Sequence, residues 1–250
     1  MILCIDIGNT NVVTALWDGK KYLNEHRQVS VVGLKECLSH IDFRTVSKII
    51  IRSVVPKLTY EYINKLEKLT SITPFIVDWQ NCNLKLDVER PHEVGADRIC
   101  NSFAAQKILS TPIVVVDFGS ATTYDVIDAN GAFIGGAIAP GIDISAHHLI
   151  NKTALLKSTA LQFPEKAVGR NTQTNLQSGI MFGGIDSVNG MLNRIQTEMN
   201  WENLNIILTG GFSSLISPEL EKPHHLLPHL TLDGMRFIAE KFCLSKILDY

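Results

Sequence analysis

Two short segments of this chain end an apolar run with a carboxylate and follow it at once with glycine and hydroxyl residues. The first is Asp6-Ile7-Gly8-Asn9-Thr10, after residues 2–5. The second is Asp117-Phe118-Gly119-Ser120-Ala121-Thr122-Thr123, after residues 113–116. Such a turn has the parts needed to hold a polyanion. Gly8 and Gly119 let backbone N–H groups approach phosphate oxygens, and Thr10, Ser120, Thr122 and Thr123 add hydroxyl donors. Asp6 and Asp117, at strand ends, are placed to face a cation that neutralises phosphate charge. Mg2+ takes one or two protein carboxylates and keeps several waters. Read alone, either turn is equally a hairpin connector whose aspartate bonds its own turn. Two of them at the starts of two similar stretches favour the phosphate reading.

Pro91-His92-Glu93-Val94-Gly95-Ala96-Asp97-Arg98 opens a helical pattern. An acid in a first helical turn is an ordinary dipole partner, and Asp97 paired with Arg98 satisfies that reading. The two tiny residues Gly95 and Ala96 beside a charged pair also make room for a ligand. Arg98 then suits a carboxylate, and Asp97 suits a hydroxyl proton. A third turn, Thr209-Gly210-Gly211-Phe212-Ser213, offers backbone against which a flat purine can lie, or is simply a turn. Arg52, alone among the apolar residues 49–55, reads as a strand-end arginine reaching solvent or an acidic partner, or as a cation near nucleotide phosphates.

Other phosphate-binding designs are excluded. The chain has no GxxxxGK[ST] and no GxGxxG after its first strand, which removes the P-loop and Rossmann readings. Asp117-Phe118-Gly119 matches a protein-kinase triplet, yet no glycine-rich loop or HRD catalytic loop accompanies it. The His147-His148 pair and the group His224, His225 and His229 lack the cysteine or acidic partners of a tetrahedral zinc site. Five scattered cysteines, with no CxxC pair, are expected to be reduced and mostly buried. A net charge of -2 without basic runs gives no nucleic-acid or membrane surface, so a bound phosphate must be held by local N–H groups and a metal. Residues 2–5 are too short for a signal peptide and lack a basic leader, and no run approaches the roughly 18 apolar residues of a membrane span. The expectation is a cytoplasmic protein.

The elements that must position these residues are repeated. Apolar runs without alternation suit central strands buried on both faces. After each aspartate turn comes a strand, a tight Asp18-Gly19 or Asn130-Gly131 turn, and another strand, over residues 22–29 and 133–139. Each half thus begins with a three-stranded antiparallel meander, followed by helices and further strands. Periodic stretches at residues 94–109, 175–199 and 232–248 read as helices, and residues 223–228 as a loop. This is an internally duplicated α/β architecture, with halves expected at 1–111 and 112–250.

Taken together, these segments resemble the type III pantothenate kinases of the actin, sugar kinase and heat-shock chaperone superfamily. The resemblance runs over essentially the full length. It is carried by residues 6–11, by residues 91–98 with the Gly95-Ala96-Asp97-Arg98 core, and by residues 117–123. It also includes Gly135-Gly136-Ala137-Ile138-Ala139-Pro140-Gly141 and Gly169-Arg170-Asn171-Thr172. It implies two actin-like, ribonuclease H-like ATPase domains with mixed central sheets around an interdomain cleft. It implies ATP-dependent phosphorylation of pantothenate, the first step towards coenzyme A. By the same resemblance Asp6, Ile7, Gly8, Asn9, Thr10, Asn11, Val12, Val13 and Ser120 bind ATP. Gly95, Ala96, Asp97, Arg98 and Thr172 contact pantothenate, with Asp97 as general base. Asp117 helps bind a monovalent cation, K+ or NH4+, required besides Mg2+, and the protein is a homodimer.

Two positions depart from the family pattern. Ser120 stands where Thr is common and keeps the hydroxyl. Val88 stands where Tyr is common, so that side of the substrate pocket offers only apolar contact. The readings that compete with a pantothenate kinase are another small-molecule kinase on the same superfold and an ATP-binding regulatory protein without turnover.

Overall fold

Strand β1 (Ile2–Ile7) is buried on both faces except at Asp6, as an apolar run without alternation requires. It hydrogen-bonds antiparallel to β2 (Asn11–Trp17), which pairs antiparallel with β3 (Tyr22–Val29). On its other side it runs parallel to β4 (Lys48–Ser53), and β4 pairs in parallel with the two-residue β5 (Phe75–Ile76). The sheet order is β3-β2-β1-β4-β5. The structure is a computed structural model that describes residues 1–30 and 34–245.

Helices α1 (Leu34–Leu38), α2 (Pro56–Thr70) and α3 (Ala96–Ile108) follow in this first unit. Helix α2 opens with proline, whose missing N–H costs nothing there, and stops at Ser71 in the left-handed region. Its Tyr62 and Leu66 pack on Leu3, Ile5, Ile7, Ile49 and Ile51 of the sheet.

The second sheet repeats the design. Strands β6 (Ile113–Phe118), β7 (Ala121–Ile127) and β8 (Phe133–Pro140) form the antiparallel meander, and β9 (Asn205–Thr209) lies parallel to β6. Helices α4 (Ile142–Asn151) and α5 (Thr172–Glu198) connect β8 to β9, and α6 (Ser213–Ile216) follows β9. Met181, Ile185, Val188 and Leu192 of α5 bury against Val114, Val116, Ile206 and Leu208. With the two-residue β10 (His225–Leu226) beside β9, the order read from β8 is β8-β7-β6-β9-β10, the same connectivity as the first sheet. The duplication expected from the repeated turns is present.

Some boundaries differ from expectation. Both aspartates lie within their strands rather than after them, because β1 and β6 continue two residues further, to Ile7 and Phe118. The segment expected as a loop at 223–228 contains β10 (His225–Leu226), which adds to the sheet beside β9. The last helix, α7 (Leu230–Ser245), packs on α3, β4 and β1. By contact the chain therefore divides into Met1–Ile108 with the segment from Leu230 onward, and Leu109–His229, in contrast to the expected halves 1–111 and 112–250. The expected residues 246–248 of that helix lie outside the described residues. Among the described residues no helix is long and apolar enough to cross a membrane. Cys4, Cys37, Cys82 and Cys100 are free and buried.

Candidate active site

In the first unit the turn after β1 is closed by Gly8, whose N–H donates to the Asn11 carbonyl at 2.9 Å. A β-carbon at Gly8 would lie 3.0 Å from that same oxygen, which is why glycine stands there. Ser30 braces the turn by donating its hydroxyl to the Gly8 carbonyl at 2.7 Å. Ile7, Val12 and Val13 are buried in the core, so only their backbones are available to a ligand. Asn9 and Thr10 are exposed at the turn, and Asp6 and Asn11 are half-buried beside them.

The parallel register of β1 and β4 sets Asp6 opposite Arg52. Arg52 is buried, and its Nη1 donates to Asp6 Oδ1. Its Nη2 lies 2.6 Å from Asp97 Oδ2. Burial alone would lower the Arg52 pKa, but the Asp6 and Asp97 carboxylates outweigh it and push the pKa up, so the guanidinium remains charged. This buried cation, next to the apolar residues 49–51 of β4, has thus found two acidic partners. Its isolation in that strand was the one sequence signal for this pairing.

Asp97 occupies the first turn of α3, just after the short turn Pro91–Glu93. The Ile99 N–H donates to the Gly95 carbonyl at 3.1 Å, so the helix starts from Gly95. Asp97 Oδ1 accepts the Arg98 N–H at 2.9 Å, which leaves Oδ2 to Arg52. A β-carbon at Gly95 would collide with Oδ1 of Asp97, so the glycine is what lets the carboxylate turn back over the helix start. Ala96 is buried, while Arg98 and Val88 are half-buried. Beneath the cluster Cys100 is fully buried, and burial pushes its thiol well above the ordinary range, which removes it as a nucleophile. The first unit therefore joins Asp6, Arg52 and Asp97, which lie in three separate segments of the sequence.

In the second unit three strand ends converge. Asp117 of β6 stands opposite Thr209 of β9 and Thr123 of β7. Gly210, with φ +89°, folds back on β6; a β-carbon there would collide with Asp117 Oδ1 and lie 2.6 Å from the Phe118 nitrogen. Ser213 holds this turn by donating its hydroxyl to the Gly210 carbonyl at 2.7 Å. Gly119 donates to the Ala121 carbonyl at 3.0 Å, and a β-carbon at Gly141 would lie 2.8 Å from the Ser120 carbonyl carbon. Asp117 is half-buried and Ser120 is exposed. A β-carbon at Gly211 would meet open space, so that backbone is accessible. Thr172, also exposed, begins α5 directly after the Asn171 cap, whose side chain accepts the Thr174 N–H at 2.9 Å.

Among the described residues no group of three or more His, Cys, Asp or Glu side chains forms a metal cluster. His147 lies on α4 with Nδ1 at 3.0 Å from Asp143 Oδ1.

Comparison with known proteins adds kinship to this geometry. Residues 2–194 match the family model for type III pantothenate kinases. A type III pantothenate kinase from Thermomicrobium roseum is 42% identical over 96% of this chain and 97% of its own length. One from Moorella thermoacetica is 36% identical over 96% and 99%. Among solved structures, a Baf family transcriptional activator from Campylobacter jejuni superposes with a TM-score of 0.64 at 21% identity, covering 96% of this chain and 98% of that one. Component A of (R)-2-hydroxyglutaryl-CoA dehydratase from Acidaminococcus fermentans gives 0.51 at 15% identity, covering 94% of each. At these identities the structures speak to fold alone, and the two like-ordered sheets make it a duplicated actin-like ATPase fold.

Proposed function

We propose a mechanism from one premise: this chain belongs to the type III pantothenate kinase family. The enzyme transfers the γ-phosphoryl group of ATP to pantothenate, giving 4'-phosphopantothenate on the way to coenzyme A, and as a kinase it takes ATP with a divalent metal ion. The observation that carries the mechanism is the carboxylate of Asp97, at a helix start, with one oxygen on the Arg98 N–H and the other on Arg52.

Asp97 acts as the general base. It takes the proton of the primary hydroxyl of pantothenate while that oxygen bonds to the γ-phosphorus. The bond from the γ-phosphorus to the β–γ bridging oxygen breaks, and ADP leaves with the electron pair. Phosphoryl transfer asks little covalent chemistry of a protein, so positioning and charge neutralisation dominate. Arg98, next to the base, binds the carboxylate of pantothenate. Gly95 and Ala96 leave space for the substrate, Val88 gives it an apolar wall, and Thr172 adds a hydroxyl.

The turn of residues 6–13 holds ATP through Gly8, Asn9, Thr10 and Asn11 and through the backbones of Ile7, Val12 and Val13, with Asp6 at its root. Ser120 offers its exposed hydroxyl to ATP. The divalent ion is Mg2+, which neutralises phosphate charge. A monovalent cation, K+ or NH4+, is held by Asp117. The second unit supports that assignment: Thr209, opposite Asp117, has a buried hydroxyl oxygen with no hydrogen-bond partner among the described residues. Glycine at 210 also keeps the space at the Asp117 carboxylate clear.

The functional form is a homodimer. Ile138 on β8, Ile144 and Leu149 on α4, and Leu155 and Val168 beyond it are all exposed in the second unit, apolar side chains that a second copy could cover. The free buried cysteines suit the reducing cytoplasm.

ADP release from the purified protein, measured with pantothenate and with a panel of sugars, with and without K+, tests this reading. Turnover that requires pantothenate and rises with K+ is expected. ADP release with sugars instead would identify another acceptor, and none with any acceptor would leave an ATP-binding protein without kinase activity.

A further inference from the structure

We infer that Arg52 is a positioning residue for the phosphoryl transfer, fixing the Asp97 carboxylate in its working orientation while anchored on Asp6. The inference rests on Asp97 being the general base.

Three observations lead to it. First, Arg52 is 6% exposed, and burying a guanidinium is costly unless it is paired. Its two pairings are both to functional carboxylates, Asp6 in the phosphate turn and Asp97 at the start of α3. Its Nε, by contrast, is buried with no hydrogen-bond partner among the described residues. The side chain is placed for the two carboxylates at the expense of its Nε donor.

Second, the fold does not need a cation there. The duplicated sheet gives an internal control: Asp6 faces Arg52 across β1 and β4, and Asp117 faces Thr209 across β6 and β9. The same strand position carries a neutral residue in the copy. The charge therefore belongs to the chemistry of the first unit.

Third, the guanidinium fork matches the task. Two carboxylates drawn towards one site repel, and a planar cation that donates to each holds both in fixed directions. With Oδ1 on the Arg98 N–H and Oδ2 on Arg52, the Asp97 carboxylate cannot rotate, yet each oxygen keeps a lone pair for a substrate proton. Arg52 thereby ties the base to the strand that carries the ATP turn.

A double-mutant cycle on the full-length protein tests this. Arg52→Met should lower kcat by about 10–100-fold, the cost of misplacing a reacting group by about an ångström. KM for ATP and for pantothenate should each move by less than about threefold. In an Asp97→Asn background the same change should lower the residual kcat by less than about threefold, because the group it positions is already gone. Should Arg52→Met fail to fold, Arg52→Lys carries the test. A lysine keeps the charge but cannot span both carboxylates, so kcat should fall with the same dependence on Asp97. An equal loss in both backgrounds would make Arg52 merely structural, and a kcat that is unchanged or raised would overturn the idea outright. Wild-type protein that releases no ADP with pantothenate would instead remove the function on which the inference depends.

Discussion

Gly95 reserves, by its missing side chain, the volume that the Asp97 carboxylate occupies: a β-carbon at 95 would collide with Oδ1. The atom in the way is the end of a side chain, so Gly95→Ala can be relieved by turning Asp97 aside. Folding is then hardly disturbed, but the base leaves its hydrogen bond to the Arg98 N–H. We expect kcat to fall by about 10–100-fold, with a melting temperature close to wild type. A large loss of thermal stability, or full activity, would show that the carboxylate is not held as described.

Asp97→Asn should lower kcat by about 10²–10⁴-fold, the usual worth of a general base. The amide removes more than basicity. Both neighbours of this side chain, the Arg98 N–H and Arg52 Nη2, are donors, and an asparagine has only one oxygen to offer them. One donor is left facing an NH2 group. ADP release by a coupled assay gives the rate, and calorimetric titration with pantothenate checks that substrate still binds. Turnover near wild type would take the base role from Asp97.

Much of this was legible in the sequence because the informative signals are local. The aspartate turns, the Asp-Gly and Asn-Gly hairpins and the unalternated strands each occupy under a dozen consecutive residues, and the duplicated sheets follow from their repetition. Arg52 could be singled out as unusual, but its partners could not be chosen. Pairing it with Asp6 needs the parallel register of β1 and β4, and pairing it with Asp97 needs the start of α3 over the same strand end. The return of α7 to the first unit was hidden for a related reason. An amphipathic pattern says that a helix has a buried face, not which surface covers it. Strand β10 was missed because two residues carry no periodicity.

Gly234 marks where α7 crosses α3 and gives that packing a direct test. A β-carbon there would overlap the carbonyl of Cys100 and lie 2.8 Å from its Cα. Helix propensity alone would make Gly234→Ala stabilising by about 1 kcal/mol. Here the obstacle is backbone, which cannot swing away, so a net loss of about 1–3 kcal/mol is expected. Urea denaturation measures it, and kcat should fall as well, since α3 carries Asp97. A stabilised variant would mean that the two helices are further apart.

His40, packed beside His26, sets an acid-side limit on stability. The two rings pack at a tilt with centroids 4.6 Å apart, and His40 Nε2 is 3.2 Å from the hydroxyl of the fully buried Thr14. Burial, and then the neighbouring His26, lower the His40 pKa from its ordinary 6.5, with the Asn24 backbone opposing them. The fold thus favours the neutral imidazole, and the unfolded chain takes up the proton first as pH falls. This contribution is complete above pH 6.5 and is lost progressively below it. Melting temperatures recorded from about pH 7.5 down to about pH 5, across the ordinary histidine range, should decline less steeply for His40→Gln than for wild type. The glutamine removes the titrating group while keeping a polar partner for Thr14. Parallel curves for the two proteins would assign the acid sensitivity to other groups.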